Sequence, residues 1–201
     1  MLKKLGLILA FGCVSLFGMH SAEININNED LEVVGKLDIG QINPAVEPDT
    51  MFVGLKLLNA HESHSSIEGE ESGSYIDFNF LMMNELPVKG LYIGLGMKLN
   101  YSDSFDADFI SIPLGIELKY KLPATNLIPL YLSANVYYAP SVLSLSDADN
   151  YLEYRINFDI EVIRNGSITL GFRSLDLKYE EPTYSDYSYN RSAYLGFKFR
   201  F

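Results

Sequence analysis

Hydrophobic and polar residues alternate with a period of two through most of residues 31–201. In the segment 152–162, every second residue is apolar and the residues between them are polar or charged. Successive side chains of a strand point to opposite faces of the sheet, whereas a helix would scatter this pattern around its circumference. The same alternation recurs at 31–39, 75–82, 91–100, 111–121, 130–137 and 193–201. The chain is therefore predicted to be all-β.

The length of these runs favours a membrane barrel over a soluble β-sandwich, which also alternates. A tilted membrane strand needs about ten residues, whereas strands of globular proteins usually have about five or six. The polar face also carries many charges of both signs, as the filled interior of a small barrel would. We expect a transmembrane antiparallel up-and-down β-barrel.

The charged side chains of the polar face are predicted to point into the lumen. An eight-stranded barrel is just wide enough for side chains to fill it, while open aqueous pores need about sixteen strands. We therefore expect paired charges to plug the lumen. The residues assigned to it are Glu117, Lys119, Glu153, Arg155, Asp159, Glu161, Arg173, Lys198 and Arg200, with Glu32, Lys36, Asp38, Lys56, Asp77 and Lys98.

Two positions predict irregular strands. Ile168, Leu170 and Phe172 share one face while Leu175 and Leu177 fall on the other, which predicts a β-bulge near Arg173-Ser174. Pro113 lies inside a predicted strand and has no N–H for the ladder, so a local interruption is expected there.

The connections alternate between short and long, as periplasmic turns and external loops do in outer-membrane barrels. The short ones are 85–90, 123–126 and 165–166, and the long ones are 61–73, 102–107, 141–149 and 180–191. This places the C-terminus in the periplasm. A short additional strand at about 23–28 would make ten strands, which we favour. The alternative is eight main strands, with the N-terminal part partly outside the regular barrel.

The N-terminus has the features of a secretory signal peptide. Lys3 and Lys4 precede an apolar run from Leu5 to Phe17, and Ser21-Ala22 offer small residues for cleavage. The run is too short for a membrane-spanning helix, which needs about 20 residues. Lipoprotein processing at Cys13, the only cysteine, is the alternative, but the residues before it match a lipobox poorly. The predicted domains are a cleaved signal peptide at 1–22 and an outer-membrane barrel at 23–201.

The charge of the chain excludes one class of partner. The net charge is -11 at pH 7, and such a chain repels nucleic-acid phosphates. The partners expected instead are outer-membrane lipid and lipopolysaccharide. The oligomeric state is left open.

The C-terminal strand ends in a pattern that resembles the signal read by the outer-membrane assembly machinery. Tyr194, Gly196, Phe199 and Phe201 occupy its polar, glycine, antepenultimate and final places. We expect the barrel-assembly machinery and periplasmic chaperones to be partners during biogenesis.

The wider sequence resembles the YfaZ family of outer-membrane proteins. The likeness rests on 137–141 (YYAPS), 171–177 (GFRSLDL) and 194–197 (YLGF). It implies location in the Gram-negative outer membrane and a barrel fold, and it carries over no catalytic residue.

No catalytic, cofactor or metal site is predicted. The histidines after the signal, His61 and His64, share a loop with Ser63, a composition that could support hydrolysis but more often belongs to a polar loop. Acidic external loops lack the spacing of an EF-hand. Tyr184, Tyr187 and Tyr189 are expected in the last loop, at a partner or at the membrane interface.

The sequence thus favours a small outer-membrane barrel with a structural or surface-interaction role and a largely plugged lumen. A narrow porin-like channel for small solutes is the alternative, and an outer-membrane hydrolase is the third possibility.

Overall fold

The computed structural model describes residues 20–60, 74–104, 107–123, 128–179 and 187–201. Within these residues, twelve strands form one antiparallel sheet. They are β1 (Ser21–Ile26), β2 (Asp30–Asp38), β3 (Met51–Ala60), β4 (Ser74–Glu85), β5 (Leu91–Ser104), β6 (Ala107–Ser111), β7 (Leu114–Lys121), β8 (Leu130–Ala139), β9 (Ser144–Ser146), β10 (Ala148–Ile163), β11 (Gly166–Tyr179) and β12 (Tyr187–Arg200). A four-residue helix, α1 (Ile39–Ile42), follows β2, and a 3-10 turn at Ser141–Leu143 precedes β9.

The sheet closes on itself, because β1 pairs with β12 and every other pair of neighbours around the ring, including β4 with β5, is also hydrogen-bonded. The closed ring contains ten strands, in the order β1, β2, β3, β4, β5, β7, β8, β10, β11 and β12. The prediction of a ten-stranded antiparallel barrel is confirmed, including the short strand near residues 23–28. β6 and β9 extend the wall beyond β7 and β8 at one end.

The two ends of the barrel differ. The end that carries Phe201, α1 and the turn 164–165 is called here the C-terminal end. The opposite end, the loop end, joins the strands through 27–29, 61–73, 105–106, 140–147 and 180–186. Among the described residues, no helix is long and apolar enough to cross a membrane.

The interruption predicted at Pro113 is present. β6 ends at Ser111 and β7 begins at Leu114, so the wall strand breaks over two residues. The carbonyl of Pro113 still accepts a bond from the backbone N of Lys98 at 2.9 Å, and the backbone N of Ile112 donates to Leu143 at 2.8 Å. The break directs β6 away from β7 and towards β9.

The bulge predicted near Arg173-Ser174 is wrong. β11 keeps one register with β10 from Ser167 to Lys178, so Arg173, Leu175 and Leu177 all face inwards and all are buried. The shift occurs in the neighbouring strand β12, where Leu175 pairs with Asn190 but Asp176 pairs with Ser188. Tyr189 is the extra residue. Leu175 and Leu177 had suggested a change of face because the inside of the barrel is itself apolar at the loop end.

The outer face of the wall is a continuous apolar band. Large hydrophobic side chains from neighbouring strands are exposed on it, which suits contact with lipid rather than water. Its members include Leu55, Phe78, Leu95, Met97, Leu99, Leu114, Ile116, Leu132, Val136, Ile156, Leu170, Leu195 and Phe197.

Candidate functional site: the barrel lumen

The lumen contains three layers along the barrel axis. At the loop end lies a cluster of buried aromatic and aliphatic side chains, the aromatic plug. An ion-pair network lies in the middle, and a cavity with basic walls lies at the C-terminal end.

The aromatic plug is built from side chains that share the inward register of the loop-end half of the strands. Its members are Leu58, Tyr75, Phe109, Tyr137, Ala139, Ala148, Tyr151, Leu175, Leu177, Tyr179 and Tyr189. The rings of Phe109 and Tyr179 meet edge to face, with centroids 5.3 Å apart. The hydroxyls of Tyr75 and Tyr151 lie 2.8 Å apart, so these two polar atoms satisfy each other inside the plug.

Close approach of the backbone makes room for one of these rings. Tyr137 on β8 lies over Gly115 on β7 and Gly96 on β5, because these three positions stand in one row across the sheet. A Cβ atom added at either glycine would overlap the Tyr137 ring. Gly115 and Gly96 on the inner face are thus covered by the ring of Tyr137 from β8, as in aromatic rescue of glycine in designed sheets.

The ion-pair network contains four carboxylates and four cations that belong to six strands, β2, β3, β4, β5, β10 and β11. Its members are Asp30, Glu32, Asp77, Glu153, Lys56, Lys98, Arg155 and Arg173. Every one of these side chains is buried. Equal numbers of opposite charges let the network persist without water, since an unpaired buried charge would be very costly.

Two carboxylates are the centres of the network. Glu32 accepts hydrogen bonds from Arg155 and from Arg173, the latter at 2.8 Å. Glu153 accepts from Lys56 at 2.9 Å and from Lys98. Tyr151 joins the two layers, because its hydroxyl donates to Glu153 at 2.7 Å.

The remaining lumen residues predicted from the sequence lie below this network, towards the C-terminal end. Glu117 accepts a hydrogen bond from the Tyr137 hydroxyl at 2.7 Å and lies 3.8 Å from the ammonium of Lys36. Asp159 accepts from Lys198 at 2.8 Å, and Lys198 also contacts Glu23 at 3.2 Å.

Tyr131 contacts three further residues of the predicted lumen, Lys119, Glu161 and Arg200. Lys119 and Arg200 lie over its ring, at 5.4 Å and 5.0 Å from the centroid, and its hydroxyl donates to Glu161 at 3.3 Å. Lys121, which was not among the predicted lumen residues, lies over the same ring at 5.8 Å.

These three cations belong to the wall of a cavity of about 420 Å³. Phe52, Tyr92, Ser133, Asn135 and Asn157 contribute other parts of its lining. A second, smaller space of about 50 Å³ lies closer to the network, beside Lys56, Lys98 and Glu153.

Asp38 is buried but takes no part in the ion-pair network. Its carboxylate accepts from the backbone N of Gly40 at 2.9 Å and of Asp49 at 2.9 Å, which fixes α1 and the following loop. With His20 it forms the group His20, Asp38 and Asp49, whose ligand atoms lie within 4.8 Å of one another. Burial lowers the pKa of His20, against the attraction of Asp49 and Asp38. We assign no metal site there, because His20 belongs to the predicted signal segment and both Asp38 oxygens already accept backbone bonds.

The four residues of the C-terminal pattern divide between the two faces of β12. Tyr194 is buried inside the barrel and donates to Asn157, while Gly196 lies against Asn25. Phe201 is exposed on the outer face, with its ring centroid 5.0 Å from that of Phe199.

Sequence reasoning missed the tyrosines of the lumen. Tyr75, Tyr137, Tyr151 and Tyr179 occupy the same alternate positions as the charged residues, and that shared phase was the available signal. Tyr189 had been expected in the last loop, but it belongs to β12 and is buried in the plug. Tyr184, His61 and His64 lie outside the described residues, as do residues 1–19 of the predicted signal.

Comparison with known proteins gives one family. The sequence model of the family described as YfaZ precursor matches residues 31–201. No curated protein matches the sequence. Among solved structures, the chain is similar to a KdgM porin with 5% sequence identity and a TM-score of 0.43, over 90% of this chain and 98% of that chain. A likeness of this degree carries no function over to this chain.

Proposed function

The chain belongs to the YfaZ family and is an outer-membrane β-barrel of a Gram-negative bacterium, and from this premise we propose that its lumen is plugged and does not conduct. The role that fits such a barrel is structural or lies in interactions at its surface. It is not an enzyme under this proposal. The observation that carries it is the stacking of the aromatic plug directly on the ion-pair network.

The plug supports a closed lumen at the loop end. Tyr75, Tyr137, Tyr151 and Tyr189 are each 0% exposed. Their rings come from four different strands and meet inside the barrel, so the space between opposite walls is occupied by packed side chains. Close packing of this kind leaves few voids larger than a water molecule.

The ion-pair network supports closure in the middle of the barrel. An ion would have to separate Glu32 from Arg155 or Glu153 from Lys98 in order to pass. Removing one partner from a buried ion pair typically costs about 3–5 kcal/mol. Several such contacts would have to open together, because the four carboxylates and four cations share partners.

The outer surface supports lipid as the principal partner. The apolar band provides the contact with acyl chains. Near the loop end, the exposed guanidinium of Arg191 lies 3.4 Å from the Tyr154 hydroxyl on the outer face, where it can contact the phosphates of lipopolysaccharide. The C-terminal pattern supports the assembly machinery and periplasmic chaperones as partners during biogenesis.

A narrow channel for small solutes is the second candidate. The specific observation in its favour is the cavity of about 420 Å³, which already hollows the C-terminal part of the lumen. In that case the plug and the network would be the gate rather than a permanent seal.

Conductance in a planar bilayer tests the proposal. Refolded protein, checked for a folded barrel by heat-modifiable gel migration, should insert without producing stepwise current at any applied voltage below membrane breakdown. A reproducible open-state current that scales with salt concentration would refute the plugged lumen and support the channel.

A further inference from the structure

The basic cavity has an electrostatic character opposite to that of the chain. The chain carries a net charge of -11. The cavity wall contains six basic side chains, Lys36, Lys119, Lys121, Arg155, Lys198 and Arg200, against four carboxylates, Glu23, Asp49, Glu117 and Asp159. Glu32, which lies outside the wall, neutralises Arg155, so a surplus of one positive charge lies in a concave space inside an acidic protein.

The carboxylates of the wall are already matched to particular cations. Glu23 and Asp159 contact Lys198, at 3.2 Å and 2.8 Å, and Glu117 lies 3.8 Å from Lys36. Asp49 lies at the mouth, 3.3 Å from His20, with 69% of its side chain exposed. Arg155 is bound to Glu32 in the network.

The three cations around Tyr131 take no part in these ion pairs. Within the part of the chain that the structure describes, no carboxylate forms a salt bridge with Lys119, Lys121 or Arg200. They share one aromatic ring, and a ring face attracts a cation more weakly than a carboxylate does. Three like charges near one ring repel one another, so a bound anion would relieve the repulsion.

The inner wall of the cavity also holds an unused donor. Arg155 is 7% exposed, and its Nε has no hydrogen-bond partner although both Nη atoms bind Glu32. Oδ1 of Asn135, a second lining residue, is likewise buried without a partner. Both side chains line the cavity, but the two atoms are closed off from its open space, and Oδ1 of Asn135 is an acceptor that an anion cannot satisfy, so the anion site rests on the three cations around Tyr131.

We propose that this cavity binds a small dianion, with the charge of a phosphate monoester or a dicarboxylate. The three cations around Tyr131 can neutralise both charges of such a ligand, and about 420 Å³ lies within the range of ligand pockets, roughly 300–1,000 Å³. Lys119, Lys121 and Arg200, which surround the ring of Tyr131 in the wall, provide the charge. Only the claim that the ligand enters from the C-terminal side alone rests on the proposed plugged lumen. The claim that the cavity binds a dianion does not rest on it.

Titration calorimetry on the refolded full-length barrel in neutral detergent micelles tests the site. Inorganic phosphate and succinate are the two probes, used at low ionic strength because salt screens such interactions. We expect at least one of them to bind, and the more tightly bound probe assigns the ligand as phosphate or carboxylate. The absence of binding by both probes at millimolar concentration would overturn the proposal.

Two variants make the test specific. Lys119→Gln with Arg200→Gln should weaken binding about tenfold or more, because two of the three cations around Tyr131 lose their charge. Lys89→Gln, in an exposed turn outside the cavity, should leave binding unchanged. Equal weakening by both, or by neither, would overturn the site. Conductance is measured separately. A barrel that binds a probe and also conducts would refute the plugged lumen but not the site. A barrel that neither binds a probe nor conducts would refute the site but not the plugged lumen.

Discussion

Arg155 and Glu32, which lie 123 positions apart in the sequence, form a two-pronged ion pair across the inside of the barrel. Nη1 of Arg155 lies 2.8 Å from Oε1 of Glu32, and Nη2 contacts Oε2. The same carboxylate accepts from Arg173 and from the side chain of Asn25. Glu32 therefore connects β1, β2, β10 and β11 at one point.

Glu32→Gln should destabilise the barrel strongly. The change keeps the shape of the side chain but removes the charge that two buried guanidinium groups share. Arg173 then keeps only the carboxylate of Asp30, at 3.2 Å, and Arg155 keeps only that of Glu153, at 3.8 Å. Removal of one partner of a buried ion pair typically costs about 3–5 kcal/mol. The measurement is the free energy of unfolding, from reversible urea titration of the protein refolded in lipid vesicles.

Glu29→Gln is the control for that experiment. Glu29 is exposed in the turn between β1 and β2, so the free energy of unfolding of this variant should stay within about 0.5 kcal/mol of the wild-type value. A loss of less than about 1 kcal/mol for Glu32→Gln would mean that water reaches the network and replaces the missing charge.

The strands, and much of their number and order, could be predicted from the sequence because side-chain parity is a local property of a strand. The run 152–162 already separates Arg155 from Ile156 and assigns each to a face. Partners in the lumen could not be predicted in the same way. Arg155 meets Glu32 because strands from opposite parts of the closed ring face each other. Which strands lie opposite each other depends on the closure of the whole ring, and the local alternation does not contain that information.

The error at Arg173-Ser174 has a related cause. An apolar residue in a barrel strand was taken to face lipid, so Leu175 and Leu177 suggested a change of register. The lumen at the loop end is apolar as well, and tyrosines such as Tyr151 fill it in the same phase as the charges. The irregularity lies in β12 at Tyr189, where the sequence shows no break in its alternation.

Removal of the aromatic plug should make the barrel conduct. Tyr75→Ala, Phe109→Ala and Tyr151→Ala together delete three fully buried rings from the loop-end half of the lumen. We expect this triple variant to produce small stepwise currents in planar bilayers where the wild type produces none, because water can then reach the ion-pair network.

A triple variant of the outer face provides the control. Phe78→Ala, Tyr138→Ala and Tyr154→Ala remove similar rings from the outer surface and should leave the bilayer silent. Both variants must first show heat-modifiable migration. Silence of the plug variant, with a folded barrel, would assign the barrier to the ion-pair network alone.

Gly96→Ala should destabilise the barrel through a single ring. A Cβ at position 96 overlaps the hydroxyl end of Tyr137 and meets no closer group. Overpacking of this kind costs about 1–3 kcal/mol. The measurement is urea unfolding, as a double-mutant cycle with Tyr137→Ala.

Tyr137→Ala is the rescuing change. It is destabilising by itself, because it removes a buried ring, but the additional cost of Gly96→Ala should disappear in its background. If the two costs simply add, the glycine is required by the backbone rather than by the tyrosine.

Deletion of Phe201 should impair assembly in cells more than stability. The side chain is exposed on the outer face, and its main contact is with the ring of Phe199. We expect the amount of barrel in the outer membrane to fall severalfold while the free energy of unfolding of refolded protein changes by less than about 1 kcal/mol.

Phe197→Ala, on the same face of β12 but outside the four-residue C-terminal pattern, should assemble normally. A large loss of stability in the deletion would indicate that the last residue holds the closure of β12 on β1 instead.

Ile116→Arg should measure how deep the apolar band lies in the membrane. Ile116 is 51% exposed on β7, and in the wall it pairs with Leu95 on one side and Val136 on the other, all three directed outwards. An arginine on the lipid face near the bilayer midplane costs about 2–4 kcal/mol, and near the interface about 0–1 kcal/mol. Val142→Arg is the matched control, because Val142 is 82% exposed in the 3-10 turn at the loop end and should lose less than about 1 kcal/mol. Urea unfolding in vesicles gives both values. If the two variants lose the same amount, Ile116 faces water, and the band of apolar residues around the barrel does not lie in lipid.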